Sequence, residues 1–187
     1  MPPSTIKDII ELFRQKGDSE YGGEKVTQLE HALQTAFLAM QEQASAALIA
    51  AALLHDIGHL IHDLPDDAPN DGIDDRHEVS GYHYLVSLFG PAVTEPVRLH
   101  VPAKRYLCAV DEGYMRQLSE PSLVSLTLQG GPMNGEEVNR FFKLPFADDA
   151  VRLRKWDDQA KVVGLPTPSL DEFADYLRQA ELKGDSQ

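Results

Sequence analysis

The chain has 187 residues, a formal net charge of −13 and one cysteine; hydrophobic residues make up 42% and charged residues 25%. That balance suits one soluble domain with a real core, and the acidity argues against nucleic acid as a partner. Cys108 alone cannot form an intramolecular disulfide, and the longest mostly apolar run, residues 44–54, is far short of the ~20 residues of a membrane span. "MPPSTIKDIIELF" carries charges where a secretory leader would be apolar, so a cytoplasmic protein is expected.

Helix signals then recur from end to end, and strand signals are scarce. In "QLEHALQTAFLAM" (28–40), Leu29, Leu33, Ala36, Phe37 and Met40 form one helical stripe. "SAALIAAALLHDIGHLI" (45–61) is apolar on nearly every side behind a Ser45 cap, and predicts a single central, buried helix. "HDLPDDAPNDGIDD" (62–75) reads as a solvated acidic loop. "RHEVSGYHYLVSLFG" (76–90) predicts a helix closed by Gly90 and Pro91. Pro102 suits the first turn of the next helix, through "AKRYLCAV", which leaves His100 at a helix end or turn. Asn134 with Glu137 makes a capping box ahead of Phe141 and Phe142. "FADDAVRLRKWDDQAKVVG" (146–164) predicts a helix with acids first, bases later and Gly164 at its end. Ser169 with Glu172 caps a last helix carrying Leu170, Phe173 and Leu177, before a frayed tail, "KGDSQ" (183–187). The expectation is one all-α domain over residues 1–182, with 183–187 as a flexible tail.

"LLHDIGHL" (53–60) raises a chemical question. It sets His55 and Asp56 side by side in an apolar run, with His59 a turn later. A buried carboxylate is costly unless paired, and a metal is its natural partner beside a histidine. Two residues are not a site, so further ligands must come from other helices. His31, His59, His62, His77, His83 and His100 are the other histidines. Asp157 has a plain alternative role, in surface ion pairs with Arg154 or Lys161 at helical spacing.

The order H…HD…H…H…D across five helical segments resembles the HD-domain superfamily of metal-dependent proteins, and in particular its dinuclear members. That resemblance implies a helical bundle in which one metal takes His31, His55, Asp56 and Asp157. It gives the second metal to Asp56, His77 and His100, with Asp56 bridging, and leaves His59 as an orienting or substrate-facing group. "YGGE", "QLEHALQ", "AALLHDIGH", "HVPAKRYL", "QGGPM" and "KWDDQAK", in order from about residue 18 to 161, are similar to one branch of that family. Its members are the small oxygenases that cleave 2-amino-1-hydroxyethylphosphonate, with near relatives acting on 1-hydroxy-2-(trimethylammonio)ethylphosphonate.

The resemblance implies two iron ions, active as an Fe(II)/Fe(III) pair, with O2 and a small hydroxyphosphonate as reactants. The C–P bond is cleaved to phosphate plus glycine or glycine betaine, by a cytoplasmic monomer or weak homodimer. It implies that Lys104, Arg154, His59 and Ser122 bind the phosphonate, while Arg105 faces elsewhere. It also implies that Tyr21 covers an open iron position until substrate arrives, and that Glu24 meets the substrate's cationic nitrogen. Tyr21, Glu24, His59 and Lys104 are thus the implied catalytic side chains. A dianion in so acidic a protein does need local donors.

The nitrogen end stays open between two chemistries. A primary ammonium wants acceptors such as Glu24, whereas a trimethylammonium wants aromatic faces, for which Tyr21, Tyr82, Tyr106 and Trp156 are candidates. Gly22, the first of two glycines in "YGGE", would leave room for methyl groups. The rival enzymatic reading is an HD-type phosphohydrolase using a metal-bound hydroxide. A non-catalytic HD module, or an inositol-type oxygenase on a longer chain, are the remaining alternatives.

Overall fold

The computed structural model describes residues 2–62, 72 and 74–182. Most of the acidic stretch read as a solvated loop, and the whole of the tail 183–187, lie outside the described residues. The helices are α1 (Ile6–Lys16), α2 (Gln28–Gln41), α3 (Ala46–Leu54), α4 (Ile57–Ile61), α5 (His77–Leu85), α6 (Pro91–Val110), α7 (Glu120–Leu128), α8 (Gly135–Phe141), α9 (Ala147–Gln159) and α10 (Leu170–Ala180). A 3₁₀ turn, Tyr114–Gln117, precedes α7. Among the described residues there is no strand, only the isolated bridges Glu20–Thr27 and Phe89–Glu181. The fold is all-α, as the periodicities predict.

Local chemistry starts most of these helices. Ser45 accepts from the Leu48 N–H, and the capping boxes Asn134–Glu137 and Ser169–Glu172 are both formed. Two further boxes, Thr5–Asp8 and Thr27–Glu30, start α1 and α2. Helix α3, buried from Leu48 to Leu54, is the central element and packs against α2, α6, α9 and α10. Around it the core is filled by Ile9, Phe13, Phe89, Trp156, Phe173 and Leu177.

Four helical segments end or run differently from the sequence expectation, and the first three differences shape the site. The segment predicted as one helix to Ile61 breaks at Asp56 (φ −102°, ψ 13°), and α4 restarts beyond it. The break lets α4 lie against the start of α5 with backbones nearly touching: a Cβ on Gly58 would sit 2.1 Å from the His77 carbonyl oxygen. His100 is not at a helix end. It lies within α6, which runs through both Pro96 and Pro102 along α9, so tertiary packing outweighs the two lost backbone hydrogen bonds. Helix α9 stops at Gln159, well before Gly164, because the buried Gln34 side chain captures the next turn. Its amide donates to the Val162 carbonyl at 2.9 Å, and its oxygen accepts from the Val162 N–H at 3.0 Å. Helix α5 likewise ends at Leu85, before Gly90.

Candidate metal centre and its cavity

His31 on α2, His55 and Asp56 at the α3–α4 break, His77 on α5, His100 on α6 and Asp157 on α9 are all buried and converge on one point. The four imidazoles share one orientation rule. Each Nδ1–H donates outward: His31 to the Ala160 carbonyl at 2.8 Å, His55 to the Ala52 carbonyl at 2.8 Å, His100 to the Val97 carbonyl at 2.7 Å. His77 donates to Asp75 Oδ1 at 2.8 Å. The tautomer is thereby set, and every Nε2 turns a lone pair inward.

The inward nitrogens form two pairs, His31–His55 and His77–His100, each with Nε2 atoms 3.1 Å apart. Asp56 lies between them. Its Oδ2 is 3.2 Å from His55 Nε2 and 3.5 Å from His31 Nε2, while its Oδ1 is 3.3 Å from His100 Nε2 and 3.4 Å from His77 Nε2. Asp157 joins the first pair, with Oδ1 3.4 Å from His31 Nε2.

No set of neutral partners accounts for this arrangement. Both Asp56 oxygens and Asp157 Oδ1 are buried without a hydrogen-bond donor, although Asp56 is only 6% exposed and Asp157 1%. Burial alone would raise their carboxyl pKa values; holding Asp56 well below the usual carboxylate range requires positive charge among the histidine nitrogens around it. At Asp157 the Arg154 guanidinium supplies that charge and holds the carboxyl well below the usual range. Two carboxylates facing four imidazole lone pairs form a cage of ligand atoms that calls for a cation. The donors, nitrogen and oxygen without sulfur, suit a borderline metal ion, and the residues present fit one.

The cluster forms the floor of a cavity of ≈ 320 Å³. Tyr21, Glu24, His59, Lys104, Ser122 and Arg154, the six side chains singled out for substrate, all reach its wall. Tyr21 stacks on His31 with ring centroids 3.8 Å apart; burial, then the Asp56 and Asp157 charges, push its phenol pKa well up. Lys104 is buried and donates to Ser125 Oγ at 2.8 Å; burial and the nearby Arg154 charge bring its pKa down to about 7. Arg154 pairs with Asp157 Oδ2 at 2.7 Å, with Asp158, and with the Tyr114 hydroxyl at 3.2 Å. Tyr114 in turn donates to Asp158.

Other expectations are redirected. The ion pair weighed for Asp157 exists with Arg154 but deep in the protein, and Lys161 turns instead to Glu24. Of the four aromatic candidates only Tyr21 lines the cavity. Trp156 is in the main core, Tyr106 packs on Phe141, and Tyr82 lies under Arg98. Arg105 faces away, as expected, toward Glu137 and the Gly131 carbonyl, and His83 is exposed on α5. The two glycines of "YGGE" answer a backbone need. Gly22 (φ 46°) and Gly23 (φ 81°) form a turn with two left-handed residues, closed by the Glu24 N–H on the Tyr21 carbonyl at 2.7 Å. A Cβ on Gly22 would meet nothing within 4 Å, so the position is not one where crowding demands glycine.

Sequence reasoning missed Asp75, Lys161 and Gln129. Asp75 accepts from three histidines, His77 at 2.8 Å, His59 at 2.7 Å and His62 at 3.0 Å, and so orients both a cluster nitrogen and a cavity-wall imidazole. The Asp-x-His spacing of "DRH" is its only sequence trace, an Asx turn with the His77 N–H on Asp75 Oδ1 at 3.2 Å. Gln129 brings a buried, unpaired amide oxygen to the cavity.

An all-helical protein that gathers four histidines and two aspartates from five chain segments under one cavity is, as a class, a His/Asp metal protein. The HD domain model matches residues 29–123. The chain is 49% identical over 173 residues to a hydroxymethylphosphonate dioxygenase of Gimesia maris, covering 92% of this chain and 86% of that one. It is 42% identical over 168 residues to a [1-hydroxy-2-(trimethylamino)ethyl]phosphonate dioxygenase (glycine-betaine-forming) of Leisingera caerulea, covering 90% and 86%. An uncharacterized protein, L432, of Acanthamoeba polyphaga mimivirus is 35% identical over 174 residues, covering 92% and 80%. The chain belongs to the HD-domain family, among its phosphonate dioxygenases.

Proposed function

We propose that the protein is an O2-dependent oxygenase that cleaves the C–P bond of a 1-hydroxyphosphonate, using two iron ions in an Fe(II)/Fe(III) state. The observation that carries this reading is the Asp56 carboxylate, whose two oxygens each face a different histidine pair at 3.2–3.5 Å. One ion would be held by His31, His55, Asp157 and Asp56, the other by Asp56, His77 and His100. When bound, the iron pair supplies O2 activation and positive centres for substrate oxygens. The balance is that of a four-electron oxidation: R–CH(OH)–PO₃ plus O2 gives a carboxylic acid and phosphate, with O2 as the only oxidant.

The chain's own side chains bind and orient. Charged Lys104, aimed into the cavity from α6, is the principal donor to the phosphonate, and Arg154 adds positive field while Asp158 and Tyr114 hold part of its fork. His59, fixed by Asp75 and stacked on His77 at 4.0 Å, presents its ring to the same space. Tyr21 shields the cluster on the His31 side. Hydroxymethylphosphonate, and the two nitrogen-bearing hydroxyphosphonates, are the substrates to offer, since relatives named for the first and for the trimethylamino compound share most of the chain.

The rival hydrolase reading would also use the cluster but would need no O2. Parallel aerobic and anaerobic assays of iron-loaded enzyme separate the two, with phosphate release and O2 uptake followed together. Equal amounts of both, and no phosphate without O2, are the expected result; anaerobic phosphate release would make the chain a phosphohydrolase.

A further inference from the structure

The Lys161 side chain enters the cavity wall just after α9, and its ammonium is fully engaged. An ammonium has three N–H donors, and Lys161 Nζ meets three acceptors: Glu24 Oε1 at 2.8 Å, Ser119 Oγ at 3.0 Å and Ser122 Oγ at 3.1 Å. It also lies 5.8 Å from the Tyr21 ring centroid. The pair is largely withdrawn from water, with side-chain exposures of 14% for Lys161 and 16% for Glu24. The carboxylate that could receive a substrate's cationic nitrogen therefore already holds a cation, tethered to the protein.

Two consequences follow for the substituent on C1 of the substrate. A primary ammonium must displace a neighbour that is preorganised and three-fold bonded, and must sit beside Lys161 while doing so. A trimethylammonium has no N–H to offer and needs aromatic faces, yet of the tyrosines and tryptophan only Tyr21 lines the cavity among the described residues. Ser122 is also drawn into this cluster, and Lys104 and Arg154 are the other lysine and arginine side chains lining the cavity among the described residues.

We infer that Lys161 is a specificity residue: a built-in ammonium that fills the cation position at Glu24 and selects hydroxyphosphonates whose C1 carries hydrogen or a small uncharged group. This rests on the oxygenase reading above and names its substrate class. The test is kcat/KM for O2-dependent phosphate release from hydroxymethylphosphonate, 2-amino-1-hydroxyethylphosphonate and the trimethylammonio compound, using iron-loaded full-length enzyme. Wild type is expected to favour hydroxymethylphosphonate by about tenfold or more. Lys161→Met, which frees Glu24, should shift the ratio toward the primary amine by about tenfold or more, and Lys161→Arg should keep the wild-type ranking. Glu24→Gln leaves Lys161 without its anion and should sharpen discrimination against both cations. Wild-type preference for a cationic substrate overturns the inference, even if Lys161→Met fails to fold. So does an equal loss on all three substrates in a folded Lys161→Met. If no hydroxyphosphonate yields O2-dependent phosphate, the oxygenase reading itself falls and takes this inference with it.

Discussion

The floor and the wall of the cavity are held together by different means. On the floor, three of the four cluster histidines are oriented by backbone carbonyls, those of Ala160, Ala52 and Val97, and every cluster residue sits on a helix or at a helix junction. On the wall, Glu24, Ser119, Ser122 and Lys161 come from a glycine turn, the start of α7 and the segment after α9, and Lys161 joins the three segments through side chains alone. A backbone-held floor resists substitution, because any change of orientation must move a helix. A side-chain-held wall can change its ligand preference one residue at a time and leave the metal cage intact.

Predictions follow from breaking each half in turn. The largest effect is expected at Asp56, where Asp56→Ala removes the carboxylate shared by both histidine pairs. Metal content by elemental analysis should fall and activity should drop to background, while circular dichroism remains helical. Asp75→Asn comes next, because it weakens the side chain that orients His77, the one cluster histidine not held by a backbone carbonyl. A loss of about 10–100-fold in metal affinity or activity is expected, the usual scale for a partner that orients a ligand. A third variant, Gly58→Ala, attacks the backbone contact itself. A methyl group 2.1 Å from the His77 carbonyl must push α4 and α5 apart, at a cost of about 1–3 kcal/mol. The melting temperature should fall by about 2–4 °C for each kcal/mol. The smallest effect is a pH dependence on the wall. Lys104, brought down to about 7 by burial and Arg154, is charged below that pH and neutral above it. Phosphonate KM should therefore rise as pH is raised through about 7, and Lys104→Arg should flatten that rise because a guanidinium stays protonated.

Much of this site was legible in the order of residues, but unevenly. The His55–Asp56 pair stands out because a carboxylate in an apolar run needs a reason, and the ligand order extends from it through the family resemblance. The caps at Ser45, Asn134 and Ser169 read directly, since capping depends on residues three apart. His100 was misplaced because Pro102 is a strong local signal for a helix start, and only packing of α6 along α9 overrides it. The end of α9 was misplaced for a related reason: Gln34, more than a hundred positions away, takes the backbone groups of Val162. Asp75 and Lys161 carry no local pattern that separates them from solvated charges.

By itself, then, the sequence determined the all-α class and most helix starts, because these depend on short-range periodicity and capping, and it carried the family in motifs that resemble known members. Only the tertiary structure decided where the helices break, that Asp56 turns one oxygen toward each histidine pair, and that Lys161 occupies Glu24. Those outcomes depend on a backbone contact at Gly58 and on charges brought together from distant positions, and no local pattern records the separation of groups that only folding makes neighbours.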